Sequence, residues 1–245
     1  MGVSKNRNEQ FENITKFKRS YLRKGYPVIS VDTKKKEVIG EYSRTNDSLY
    51  GTEAQITLDH DFQTPNSIVG VPHGIYDEKE NSGYITIGQS SDTSEFVCDN
   101  IKNWWFTIGI LLYPFAKYLL ILCDGGGSNS SRHYIFKEDL QKLALTIGIN
   151  IRIAHYPPYC SKWNPIEHKL FPHVSKAIRG ANITSIHKLG EHIKRTKTKT
   201  GLKIVVKMSR KKYNTGRKVQ EGFKEDMPIK FDNYLPLWNY VAKCN

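Results

Sequence analysis

Three acidic residues, Asp32, Asp124 and Glu167, could carry metal-dependent chemistry on phosphate esters if the fold gathers them. Asp32 lies in PVISVDT, Asp124 ends the apolar run YLLILCD, and Glu167 follows the Pro-rich turn YPPYCSKWNP. They are separated by 92 and 43 residues, which leaves room for intervening strands and helices. Carboxylates within about 5 Å of each other would repel by on the order of 1–3 kcal/mol per pair at intermediate dielectric. Divalent cations relieve that repulsion, and an all-oxygen ligand set selects Mg²⁺ or Mn²⁺ over zinc. Two such ions, about 3.5–4 Å apart, activate a water or a 3′-hydroxyl and stabilise the leaving oxygen in an in-line attack on a phosphodiester.

Each acid also has a structural reading. Asp124 could serve only a turn or a helix start, but GlyGlyGlySerAsnSer (125–130) leaves its strand end uncrowded, and ligands in α/β sheets gather at such ends. The glycines match neither GxxxxGK[ST] nor GxGxxG, which argues against a nucleotide cofactor. Glu167 stands third in a helix that Asn164 would cap and Pro165 would start, where Glu is often a capping residue. At about 100° per residue, however, Leu170, Phe171, Val174 and Ile178 share its direction, so its carboxylate should face the sheet. A rival zinc set of His155, Cys160, His168 and His173 has suitable ligands but matches no common finger spacing. Lys162, Trp163 and Asn164 could combine phosphate contact with stacking, although Trp163 could equally staple the helix start. Lys34 and Lys35, in the turn after Asp32, complete the polyanion-facing candidates near the acids.

The elements needed to position these residues can be read along the chain. Residues 8–24 form an amphipathic helix pattern, PVISVDT and EVIGEY two strands, and GYITIGQ (83–89) a third. Between them, 43–82 is so broken by Gly, Pro, Asn and Asp that it reads as an irregular insertion. A helix over 92–113 opens on a capping pair, Asp92 and Glu95, with Trp104 and Trp105 in the core. YLLILCD then reads as a central strand covered on both faces, followed by a helix over 131–147, the strand NIRIAH and the helix bearing Glu167. This order predicts an α/β fold, a mixed five-stranded sheet flanked by helices. The expected organisation is an N-terminal helical segment (1–25), a catalytic domain (26–182) and a basic C-terminal extension (183–245).

The net charge of +13 favours a polyanionic partner, because Lys and Arg that neutralise phosphates release condensed counterions. Twelve Lys or Arg and one acid, Glu191, fall between Lys188 and Lys218, so this stretch holds eleven of the thirteen net charges. Lys194, Arg195, Lys197 and Lys199 are its DNA-contact candidates. Residues 203–208 read as a strand and 213–217 as a turn, which suits a folded extension rather than a solvated tail. Cys98, Cys123, Cys160 and Cys244 form no CxxC pair, pointing to a reducing cytoplasm. No run reaches the roughly 18 apolar residues of a membrane span, and the polar N-terminus lacks a signal-peptide core.

The segments VISVDTKKKE, VPHGIYD, LLILCDGGGSNSSR, HYPPYCSKWNPIEHKLF and TKTGLKIVV…YNTGRKV closely resemble the ISAzo-type family of insertion-sequence DDE transposases of bacteria. The resemblance runs from about Asn8 to Tyr240. It implies a ribonuclease-H-like fold and a triad of Asp32, Asp124 and Glu167 holding two Mg²⁺ or Mn²⁺ ions. It further implies cleavage at transposon ends, transfer of the 3′-hydroxyl into target DNA, and a homo-oligomer in a synaptic complex at the nucleoid. Such families ordinarily carry an N-terminal helix-turn-helix region, so a start this near the catalytic core suggests a shortened protein. The competing expectations are a DNA-binding remnant without activity and a nuclease that hydrolyses without joining.

Overall fold

The computed structural model describes residues 6–40, 42–43, 58–59 and 68–245. Helix α1 (Arg7–Arg23) leads into β1 (Val28–Thr33), whose first four residues are buried. Then come β2 (Glu37–Ile39), β3 (Tyr42–Ser43), β4 (Leu58–Asp59), β5 (Ile68–Asp77) and β6 (Ser82–Gly88). Helix α2 (Ser94–Trp104) runs through a π turn (Trp105–Gly109) into α3 (Ile110–Leu112), and β7 (Tyr118–Cys123) follows. Next are α4 (Tyr134–Ile147), β8 (Asn150–His155), α5 (Pro165–Lys169), α6 (Phe171–Ile178), α7 (Ile186–Lys194), β9 (Lys203–Met208), β10 (Ile229–Phe231) and β11 (Asn239–Ala242).

The main sheet runs β10-β11-β8-β7-β1-β5-β6-β9, with β2 pairing β5. Strand β7 lies parallel to both neighbours, β1 and β8, which is why its sequence is apolar without alternation. Strand β1 meets β5 antiparallel on its other side, with Asp32 opposite Gly74 and Thr33 opposite His73. Alternation along β1 then divides the molecule. Ile29 and Val31 pack with α2 and α4, including Val97, Ile101, Trp104 and Leu140. On the opposite face, α1 covers Val28, Leu120 and Leu122, while Ile166, Leu170, Phe171, Val174 and Leu189 from α5, α6 and α7 cover β5 and β6.

Three expectations need correction. Among the described residues the sheet has nine strands rather than five, in part because the segment expected as a C-terminal extension supplies outer strands at both edges. Strand β9 joins β6 in parallel, and β11 joins β8 antiparallel. The stretch read as an irregular insertion also contains β5, the ten-residue strand beside β1. Its Gly and Pro resembled loop punctuation, but the glycines have packing roles. A Cβ on Gly74 would stand 2.7 Å from the Phe171 ring and 2.8 Å from Ile166, and one on Gly70 would meet Leu189 at 3.0 Å. The glycines leave a flush surface on which α5, α6 and α7 lie close to the strand. EVIGEY is likewise split: only Glu37–Ile39 pairs with β5, while Tyr42–Ser43 pairs with Leu58–Asp59 in a separate two-stranded sheet. The remainder of the expected insertion before Ile68 lies outside the described residues.

Candidate active site

Side-chain alternation puts Ser30 and Asp32 on the face covered by α5. The Ser30 hydroxyl accepts from the backbone N–H of Ile166 at 3.0 Å and donates to the side-chain oxygen of Asn164. Asn164 Nδ2 donates in turn to the carbonyl of Val31 at 3.1 Å. These bonds fasten the start of α5 to β1 one residue before Asp32. Asn164 occupies the cap position but makes no side-chain cap bond, and Pro165 opens the helix. The helix breaks at Leu170 instead of continuing to Ile178, yet Leu170, Phe171, Val174 and Ile178 all remain buried against the sheet. Glu167 thereby comes within the electrostatic reach of Asp32.

Asp124 follows the last residue of β7, and β7 is parallel to β1, so both aspartates emerge at carboxyl ends of adjacent strands. All three acids interact. Burial pushes the Asp32 carboxyl up to about 8, and the charges of Asp124 and Glu167 push in the same direction. The side chain of Glu167 stands close enough to Asp32 to favour its protonated form further. Asp124 is raised by burial and by the charges of Glu167 and Asp92, although the Gly126 N–H works against the shift. Deficient charge compensation of this kind is what bound cations would remove.

The Gly-rich turn after Asp124 is held from several sides. His155 at the end of β8 is fully buried; its Nδ1–H donates to the Asp124 carbonyl at 2.9 Å. That assignment makes Nε2 an acceptor, and the Tyr240 hydroxyl donates to it at 2.8 Å. Burial lowers the imidazole to about 4, so it works as a neutral strut. The ammonium of Lys137, itself buried, donates to the Ser131 carbonyl. Neither role was legible in the sequence: the partners of His155 are set by strand register and by a C-terminal strand, and that of Lys137 by the fold of the turn before α4.

Among the described residues, no group of three or more His, Cys, Asp or Glu side chains stands as a ready-made metal cage, the three acids included. The donor set nevertheless fits hard dications: it is all oxygen, and the two aspartates are electrostatically strained. The rival zinc set is not assembled. His155 is engaged by Asp124 and Tyr240, Cys160 is buried under α1, and all four cysteines are free thiols.

The basic candidates divide by environment. Asn164 is fully buried in the β1 clamp, which removes it from any DNA-facing surface. Lys34 pairs with Glu37, and Lys194 with Glu191 at 2.8 Å. Lys35 is exposed beyond Asp32, and Lys162 lies over the ring of the half-exposed Trp163 at 5.8 Å. Trp163 packs edge-on against Phe11 of α1, so stapling and exposure coexist in one ring. Arg195 and Lys197 line a cleft of about 270 Å³ between α6 and α7 together with His173, Lys176 and His192. Lys199 lies exposed just beyond it. No helix among the described residues is long and apolar enough to cross a membrane.

A family described as Rhodopirellula transposase DDE domain matches residues 2–244. Among solved structures, a pre-cleavage Mos1 transpososome superposes with a TM-score of 0.50 at 10% identity, covering 76% of this chain and 52% of that one. The Mos1 transposase paired-end complex with the left transposon end gives a TM-score of 0.49 at 12% identity, covering 78% and 54%. At such identities the likeness is one of fold, and the chain spans about half the length of these structures. No curated protein sequence matches it.

Proposed function

The chain belongs to the transposase DDE domain family, with a ribonuclease-H-like fold, and from that premise we propose that it is the catalytic core of a DNA transposase. The proposed activity is metal-dependent strand cleavage at transposon ends followed by strand transfer into target DNA. One observation supports the reading: three carboxylates from separate segments feel one another's charge near the carboxyl ends of two adjacent parallel strands.

In this reading Asp32, Asp124 and Glu167 hold Mg²⁺ or Mn²⁺. Such ions, when bound, supply Lewis acidity and an activated oxygen nucleophile. Ser30 and Asn164 fix the entry of α5, and with it Glu167, against Asp32. His155, held in a single tautomer, fixes the Asp124 backbone. Burial of Asp32 raises the cost of ionisation until a cation is present, which couples metal capture to proton release. The DNA path runs over the exposed Lys35, Lys162 and Trp163 and reaches the cleft of Lys176, Arg195 and Lys197. That cleft has no acid in its described lining, which suits a phosphodiester backbone.

The test is nicking of labelled duplex DNA by the full chain with Mg²⁺ or Mn²⁺, with Asp124→Ala in parallel. Metal-dependent nicking that disappears in the variant supports the reading, and joining of pre-cleaved ends to a target duplex separates a transposase from a nuclease. DNA binding without nicking under either metal would overturn an active core in favour of a binding remnant.

A further inference from the structure

The spacing of Asp92 and Glu95 predicts that Asp92 caps α2, but the structure gives that role to its neighbour. Thr93 is the N-cap residue, and its hydroxyl accepts from the Phe96 N–H at 3.2 Å. Asp92 is left outside the helix, partly buried, with its carboxylate turned elsewhere. One oxygen accepts from the Thr33 hydroxyl at 3.1 Å, and the Ser128 hydroxyl stands near enough to the carboxylate to favour its charged form. Thr33 is the residue after Asp32. Ser128 sits in the short helical turn Gly127–Asn129, in the Gly-rich segment that follows Asp124.

The two partners therefore belong to the two segments that carry the aspartates. Thr33 points to the α2 face of β1 while Asp32 points to the α5 face, so a bond to Thr33 holds the strand end without occupying the site. The Ser128 contact bears on the Gly-rich turn, whose three consecutive glycines bring no side chains to pack; a Cβ on Gly127 would meet nothing within 4 Å. The Asp92 charge is felt by Asp124, and Lys36 partly balances it.

We propose that Asp92 is a positioning residue: by accepting a hydrogen bond from Thr33 while facing the Ser128 hydroxyl, it ties the turn after Asp124 to the end of β1 and so sets the spacing of the two aspartates for a dication. This rests on the metal-site reading of the acids. Outer hydrogen bonds of this type orient ligating groups, and their loss commonly costs about 10–100-fold in metal affinity. The acceptor geometry carries the role, so an amide of the same shape should preserve it.

The full-length chain, free of metal, is compared with Asp92→Ala, Asp92→Asn and Thr33→Val by amide hydrogen exchange over residues 125–131. Mn²⁺ binding is then followed by electron paramagnetic resonance. Asp92→Ala is expected to speed exchange in the turn and weaken Mn²⁺ by about tenfold or more, while Asp92→Asn stays within about threefold of wild type. Thr33→Val, which deletes one hydroxyl and keeps the side-chain shape, should shift both readouts in the direction of the alanine variant. It decides the matter if the alanine variant fails to fold. Unchanged exchange and Mn²⁺ affinity in Asp92→Ala and Thr33→Val would overturn the proposal. So would an asparagine variant as impaired as alanine, since charge would then be the active property. Wild-type protein that binds Mn²⁺ but nicks no DNA would sink the transposase reading and leave this test intact.

Discussion

Asp32 is the residue on which the electrostatics of the site turn. In the metal-free protein its folded carboxyl titrates near 8, against 3.8 for an unperturbed aspartate. The folded state therefore holds a proton that the unfolded chain has released. This contribution to stability is fully present below about pH 4 and disappears as pH rises through about 8. Metal-free protein should lose melting temperature over that window, and Asp32→Asn should flatten the decline. Mn²⁺ affinity should climb by up to about tenfold per pH unit below pH 8, because each ion bound displaces the Asp32 proton. Calorimetry at several pH values, with and without Mn²⁺, checks both. A second contrast at this scale separates neighbours in one turn. Asn164→Ala breaks two buried hydrogen bonds and should destabilise by about 1–3 kcal/mol. Trp163→Ala, in an exposed ring, should leave the melting temperature nearly unchanged and weaken duplex binding.

At the scale of elements, the site depends on how closely α5 and α6 lie on β5. Gly74 faces Asp32 across the β1–β5 ladder and lies under Phe171 and Ile166. Gly83, in β6, would place a Cβ 2.5 Å from Leu170. Gly74→Ala should push α5 off the sheet, destabilise by about 1–3 kcal/mol, and displace Glu167 from Asp32. Chemical denaturation measures the first effect, and loss of Mn²⁺ affinity beyond that of a distant mutant of equal stability measures the second. This role is invisible along the chain, because a glycine in a strand looks like a breaker until the helix above it is known.

For the whole molecule, the basic C-terminal region performs two jobs that its charge count cannot separate. Lys211 pairs with Glu95 and Asp99 at 2.8 and 2.6 Å, and Arg217 pairs with Asp139. Tyr213 lays its ring against Phe96 and donates to Asp99. These residues strap the segment after β9 across α2 and α4. Arg195, Lys197 and Lys176 line the α6–α7 cleft instead. Neutralising Arg195 and Lys197 should reduce the salt slope of DNA binding by about 1 for each phosphate that is no longer neutralised, with little change in melting temperature. Lys211→Ala should do the reverse, lowering the melting temperature while leaving the salt slope near wild type. Titrations of duplex DNA at several salt concentrations distinguish the two.

Local chemistry along the chain marked the three acids as candidates and determined the apolar β7, the helix start that carries Glu167 and the charge suited to a polyanion. Each follows from residue type and short-range periodicity, which the sequence carries directly. Strand β5 was hidden because its glycines serve packing against helices more than ninety residues away. The true roles of Asp92, Asn164 and His155 were hidden for the same reason: a side chain's type states what it can bond, while its partner is fixed by strand register and helix docking. Only the tertiary structure decided that Thr93 caps α2 and frees Asp92. It also decided that β9 and β11 join opposite sides of the sheet and that a histidine braces Asp124, since these contacts join residues far apart in the chain.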